Sequence, residues 1–457
     1  MTSPRSTRSD GAEAELGDRS GSPYTPHTAV EVEDMLAVIG VDDVQDLFDI
    51  PPTVVFDGEF GIPSRSEREV ERHARSLLAR NTDLVEFLGR GHYEHFQPAA
   101  IDDLAQRSEF LTSYTQYQPE IAQGFLQALF EYQSMFVELT GLEVVNCSIY
   151  DAATALGEAA TLAARVRSVT GDRVLVPAEM VEGRRSVLEN YVAGTELTVA
   201  PYPMADGAVD VDGLADEFAD DVAMVYVENP SVTGRIQERV SEIAALAADH
   251  DALTTVGADP VALAVLEAPG DCGVDVVIGD AATLGLPASS GTGLGLFATR
   301  EAYLRQVPGR LVGATTDAND RRAFTLTLQT REQHIRRERA TSNICTNQAW
   351  IALRIAMHLA SLGPDGLVDL ASTCIREADR LATALDELDG VTAPVHGGHH
   401  FREFVARVED APAVGDALLE AGFAVHVLDD RHVQVCVTEV TAPHADALVD
   451  AFAEAVA

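Results

Sequence analysis

The chain has 457 residues, and 73 Asp+Glu stand against 32 basic residues, all of them arginine, for a net charge of −41. So negative a surface disfavours nucleic acid and anionic membrane as partners. The absence of lysine excludes a carbonyl cofactor held on the chain's own amine, because a guanidinium stays protonated and cannot act as that nucleophile.

Residues 1–22 are rich in Ser, Gly, Asp and Glu without periodicity and read as a disordered tail. From Thr28 to about Ile50 the apolar residues Val32, Met35, Leu36 and Ile39 recur at helical spacing, until Pro51-Pro52 stops the pattern. Residues 66–89 read as a second helix-rich stretch, followed by a Gly/aromatic connector, GRGHYEHF, over 89–96. Residues 23–107 are therefore expected to form an N-terminal helical arm. After Pro119, Phe125, Leu129, Tyr132, Phe136 and Leu139 fall on one face of a helix that stops at Thr140-Gly141.

The middle of the chain alternates. Arg173–Pro177, Ala223–Val227, Ala252–Gly257, Val274–Ile278 and Gly293–Ala298 are short, nearly continuous apolar runs, several of them separated by helical patterns such as Ser241–His250. Apolar strands alternating with helices predict an α/β domain over 108–350, with a mostly parallel sheet covered on both faces. Past Trp350 a long Ala/Leu helix is interrupted at Gly363-Pro364. The remainder of 351–457 reads as a smaller α+β domain, with strands around Phe401–Val405 and Val433–Val437. Five scattered cysteines without a CxxC indicate neither a disulfide framework nor a metal site. His396, His399 and His400 cluster at a spacing that fits no closed metal site. No apolar run approaches the roughly 18 residues of a membrane span, and a cytoplasmic protein is expected.

Three stretches carry candidate chemistry. In Tyr114-Thr-Gln-Tyr-Gln-Pro-Glu120, two tyrosines and Gln118 precede a helix N-terminus, where free N–H groups favour anions; the alternative is a turn whose tyrosines pack on the domain. Arg321, Arg322, Arg331, Arg336, Arg337 and Arg339 form a positive island offset only by Glu332 and Glu338. It suits either a carboxylate or phosphate, or pairing with glutamates or a partner chain. The Gly-rich run 279–295 follows a strand but lacks the GxGxxG spacing of a dinucleotide site. Asp259, at a strand end in GADP, suits either a ring-nitrogen partner or a turn.

Several of these stretches resemble one family. SEFLTSYTQYQPEIAQGFLQALFEYQSM (108–135), YDAATAL (150–156), the DP at 259–260, TLQTREQHIRRERATSNICTNQA (327–349), FREF (401–404) and VTE (437–439) are similar to glycine decarboxylase, the P-protein of the glycine cleavage system. The similarity is to the N-terminal half of its two-subunit form. It implies an aminotransferase-like fold, PLP-dependent transferase fold type I, in which the PLP lysine belongs to subunit 2 and would fall near Ala281-Ala282 here. It also implies glycine as substrate, a heterodimer with subunit 2, and transfer of an aminomethyl group to the lipoyl arm of H-protein. Across the interface, Tyr114, Tyr117 and Gln118 are the expected catalytic contributors. Thr341, Ser342, Asn343, Arg331 and Arg336 are the expected cofactor-side residues, the two arginines serving a carboxylate, a phosphate or an interfacial anchor. The alternative is a scaffold that docks subunit 2 and H-protein with no residue in the chemistry.

Acidity of this degree destabilises a compact state unless salt screens it, over about 8 Å at roughly 0.15 M and only about 3 Å at about 1 M. The composition thus points to a halophile. We expect the melting midpoint to rise by about 10 °C or more between dilute buffer and molar KCl; a midpoint indifferent to salt, measured by circular dichroism, would remove that reading.

Overall fold

The computed structural model describes residues 27–56, 61–111, 116–166, 171–327, 340, 342, 344 and 348–457, without the side chains of Pro52 and Ser289. The tail expected over 1–22 and the site candidates Tyr114, Arg331, Arg336, Thr341 and Asn343 lie outside the described residues. The chain divides into two compact units, one ending at Thr82 and one beginning at Asp83.

In the first unit, the helix Ala29–Ile39 opens on a capping box between Thr28 and Glu31. It ends at Gly40, whose φ of 86° closes the last turn, so it is shorter than the apolar periodicity to Ile50 suggested. Asp43 then caps a separate short turn, Val44–Leu47. A second capping box, Ser66 with Glu69, starts the helix Glu67–Leu78. Leu36 is the one buried hydrophobic residue among those described here, and Val38, Phe48 and Phe56 are exposed.

In the second unit the strands run, in chain order, β1 Val85–Phe87, β2 Val144–Val145, β3 Arg173–Pro177, β4 Thr198–Tyr202, β5 Met204–Ala205, β6 Ala208–Val209, β7 Val222–Asn229, β8 Leu253–Ala258, β9 Val276–Asp280, β10 Gly295–Thr299, β11 Val312–Thr316, β12 Arg322–Leu326, β13 Glu403–Arg407, β14 Phe423–Val427 and β15 His432–Cys436. The large sheet has the order β2-β10-β9-β8-β7-β3-β4. It is parallel except for β10, which runs against both neighbours. Because both faces are covered, β7 is apolar along nearly its whole length: Val225 and Val227 face one core and Met224 and Tyr226 the other.

The helices Gln123–Thr140 and Val240–Asp249 cover one face, and Ala152–Val166 and Glu182–Val192 the other. The stripe Phe125, Leu129, Tyr132 and Phe136 is buried as its spacing predicted. The helix Ala349–Asp386 begins in the core of the large sheet, bends at Gly363 (φ 65°, ψ 178°) ahead of Pro364, and ends in the core of the small sheet. Near its start, Trp350 donates its indole N–H to the Ala105 carbonyl at 3.1 Å. One turn on, the buried Arg354 lies 5.0 Å from the Trp350 ring, bonds the Gly285 carbonyl at 2.6 Å and pairs with Asp102 at 2.7 Å.

The small sheet has the order β1-β14-β15-β13. Its edge strand β1 comes from residues 85–87, inside the stretch expected as a helical arm, and pairs in parallel with β14. Three residues carry too little pattern to announce a strand. The turn after β7 seats against β13: Phe401 donates its N–H to the Gly234 carbonyl at 3.0 Å, and a Cβ on Gly234 (φ +85°) would lie 1.7 Å from the Glu403 carbonyl oxygen. Only glycine fits there. Among the described residues no helix is long and apolar enough to cross a membrane.

Candidate functional site: charges gathered at the carboxyl edge of the large sheet

β7, β8 and β9 end side by side, and each delivers a carboxylate there: Glu228, Asp259 immediately after β8, and Asp280. The carboxyl edge of a parallel sheet is the usual ligand position in such folds. A cavity of about 80 Å³ opens at this edge, lined by the three carboxylates, by Arg184 and Thr283, and by Tyr93, Arg402 and Glu403 from the connector and the small sheet.

Arg402, 1% exposed, is the centre of the network. One nitrogen donates to Asp259 at 2.5 Å and another to His95 Nε2 at 2.8 Å, while the guanidinium lies 4.2 Å from the Tyr93 ring and 5.0 Å from the Phe401 ring. A guanidinium only donates, so His95 Nε2 accepts, and its proton sits on Nδ1 and goes to Glu439 at 2.8 Å. Burial opposes the Arg402 charge, but Asp259 together with the nearby Cys374, Tyr93 and Cys436 outweighs it, so the group is held protonated even more firmly than usual. Asp259 Oδ1 also accepts the N–H of Val261 at 2.8 Å.

Beside this network Tyr93 donates its hydroxyl to Glu403 at 2.6 Å. Glu403 also accepts the Arg90 N–H at 2.8 Å and the Gln434 side chain at 2.7 Å. Burial pushes the Glu403 carboxyl and the Tyr93 hydroxyl up. On the far wall, Arg184 Nη1 reaches Glu228 at 2.6 Å and the Tyr226 hydroxyl at 2.9 Å. Asp280 Oδ1 accepts the N–H groups of Ala282 at 3.0 Å and Leu294 at 3.3 Å. Its carboxyl is pushed up to about 6, by burial first and by the nearby Asp151 as well.

Of the residues singled out in the sequence, Tyr117 is 48% exposed, and its oxygen accepts from Arg310, itself buried, at 2.8 Å, with the guanidinium 4.7 Å from the ring. Gln118 is exposed. Ser342 is buried and donates its hydroxyl to Glu158 at 2.7 Å, tying its segment to the helix Ala152–Val166. None of these three lines the carboxyl-edge cavity. Sequence reasoning gave no role to Arg402, Glu403, His95 or Glu439, although FREF and VTE stood among the matching segments. The available signal was a charged pair set between phenylalanines.

A family model for the glycine cleavage system P-protein matches residues 22–452. The chain belongs to that family. It is 58% identical over 437 residues to a probable glycine dehydrogenase (decarboxylating) subunit 1 of Halobacterium salinarum, covering 95% of this chain and 99% of the relative. A solved glycine decarboxylase (P-protein) of the glycine cleavage system, in inhibitor-bound form, superposes with a TM-score of 0.81 at 39% identity, covering 95% of this chain and all of that one. The sphingosine-1-phosphate lyase of Burkholderia pseudomallei shares the fold at 15% identity and a TM-score of 0.63, with 87% of this chain and 92% of that chain covered. The architecture is the PLP-dependent fold type I, a mixed sheet with helices on both faces and a smaller C-terminal domain.

In this P-protein-family chain the residues present do not fit PLP. The cofactor needs an amine for its aldehyde and a partner for its ring nitrogen, as well as a favourable site for its phosphate dianion. The chain has no lysine, and Ala281 and Ala282 follow β9. Asp259 already holds the permanent charge of Arg402. The N-terminus of the helix Ala152–Val166, a place that favours anions, is capped by the Asp151 carboxylate at 2.7 Å from the Thr154 nitrogen.

Two outcomes follow for this network. Arg402→Met strands Asp259 beneath the small sheet and is expected to cost about 3–5 kcal/mol; Arg402→Met with Asp259→Leu removes both charges and recovers a large part of that loss in a denaturant-unfolding cycle. Asp280 adds a pH dependence. Its folded-state carboxyl near 6 stands above the ordinary 3.8, so its charged form is the costly one. That contribution to stability is full below the ordinary value and is lost as pH rises through about 6. Asp280→Asn is therefore expected to gain on the parent between about pH 4 and pH 6 and to hold a constant advantage above about pH 7, read as the difference in melting midpoint.

Proposed function

We propose that this chain is subunit 1 of a glycine decarboxylase. With a second subunit that holds PLP on a lysine, it serves the release of CO₂ from glycine and the passage of the aminomethyl group to the lipoyl arm of H-protein. The observation that carries the reading is a family fold kept over nearly the whole chain while its own carboxyl edge is closed to the cofactor, with Arg402 seated on Asp259 and no lysine in the sequence. An enzyme half of this kind acts through a partner. PLP, when bound there, supplies an electron sink for the carbon–carboxylate bond.

In this reading the chain's own contribution is positional. Arg310 can only donate to Tyr117, so the tyrosine keeps its proton to give outward, and its half-exposed ring is held by a hydrogen bond and a cation–π contact at once. Tyr117 thus presents a directed donor at the surface, suited to a carboxylate on the partner's side. Tyr114 and Gln118 flank it in sequence and belong to the same proposal. Ser342 is bonded to Glu158, and together with Thr341, Asn343, Arg331 and Arg336 we assign it to the cofactor side of the same interface. We also place the protein in the cytoplasm, with residues 108–350 and 351–457 as its large and small domains.

The test is glycine-dependent CO₂ exchange in molar KCl with PLP and lipoylated H-protein. We expect no turnover from this chain alone and turnover on adding subunit 2. Tyr117→Phe should lower it about 10- to 100-fold, the worth of one hydrogen bond to a charged group, with assembly unchanged in gel filtration. Full turnover in an assembled Tyr117→Phe complex would favour a docking scaffold. Turnover by this chain alone would overturn the assignment.

A further inference from the structure

Beside Arg90, whose guanidinium bonds the neutral Gln434 side chain at 3.2 Å, the carboxyl-edge cavity keeps open edges on two further charged groups after its internal pairs are counted. Arg402 is matched by Asp259 and Arg184 Nη1 by Glu228, and Glu403 is bonded by Tyr93, Gln434 and the Arg90 N–H. What remains on one side is Arg184, whose Nε and Nη2 have no partner among the described residues and whose side chain is 24% exposed. On the other side is Asp280, whose Oδ1 takes two backbone N–H groups while Oδ2 takes none. Both residues line the same cavity. The two groups also sense each other, because Arg184 draws the Asp280 carboxyl down against the larger effect of burial.

A cavity of about 80 Å³ holds several waters, at about 10–15 Å³ each, or one ligand of a few heavy atoms. A simple anion at Arg184 would meet Glu228 and Asp280, and a simple cation at Asp280 would meet Arg184 and Arg402. A ligand carrying both signs, a short distance apart, offsets each repulsion with an attraction of its own.

We propose that this cavity binds a small free α-amino acid as its zwitterion, the carboxylate on the open edge of Arg184 and the ammonium on Asp280 Oδ2. Binding involves no cofactor and no covalent step, and it goes beyond the decarboxylation proposed above. That reading stands or falls independently, because it concerns the partner's cofactor and this site concerns a pocket of this chain. The compactness of the space makes glycine the best fit and branched side chains poor ones.

The experiment is isothermal titration of the purified full-length chain, without subunit 2 and without PLP, at a fixed molar KCl concentration. The probes are glycine, acetate, methylammonium and valine. Glycine is expected to bind at least about tenfold more tightly than acetate, methylammonium or valine, since only it engages both charge-assisted contacts within the available space. Asp280→Asn, which keeps the shape and removes the charge, is expected to weaken glycine by about tenfold or more. Absence of glycine binding, glycine no tighter than acetate, or unchanged affinity in folded Asp280→Asn would each overturn the proposal. If that variant fails to fold, the ligand series on the parent chain decides alone.

Discussion

Taking the Arg402 guanidinium out of water costs several kcal/mol in lost hydration, and the second unit is arranged around offsetting it. Asp259 comes from the end of β8, His95 and Tyr93 from the connector after β1, and Phe401 from the entry to β13. These groups come from three parts of the chain far apart in sequence. The pair therefore does more than neutralise charge. It fixes where the small sheet sits on the carboxyl edge of the large one, alongside the close approach of Gly234 to Glu403. Arginine suits this position because its planar fork serves Asp259 and His95 at once, and its charge survives burial.

The same arrangement gives the carboxyl edge of a PLP-type fold a structural task. The Asp after β8 and close-fitting glycines shape that edge. Along it, alanines follow β9, Arg402 occupies the Asp259 carboxylate, and Asp151 caps the nearby helix. The charge of Arg402, paired with Asp259, secures the seam between the large and small sheets.

Much of the framework was legible in the sequence because it is local. The Phe125–Phe136 stripe, the continuous apolar strands and the break at Gly363-Pro364 are patterns within a few turns or a few residues. β14 and β1 escaped because one is only partly buried and the other is three residues long, so neither shows a full hydrophobic alternation. The site was less legible still. Asp259 drew attention by its strand-end position, but nothing local says that a residue 143 positions away will claim it. Ser342 looked like polar lining in a motif-rich block, whereas its hydroxyl turns inward to Glu158. Tyr117 was singled out, but the buried Arg310 that directs it is 193 positions distant.

Trp350 is the chain's single tryptophan, and its indole bridges the Ala105 carbonyl and the Arg354 guanidinium at the start of the long bent helix. Intrinsic fluorescence therefore carries a spatial address. Its emission reports one junction, where the segment ending at Ala105 meets the helix that continues from the large core into the small one. A spectral change without loss of ellipticity would mark loosening of that junction ahead of unfolding, giving a label-free optical read-out of how the two cores are coupled.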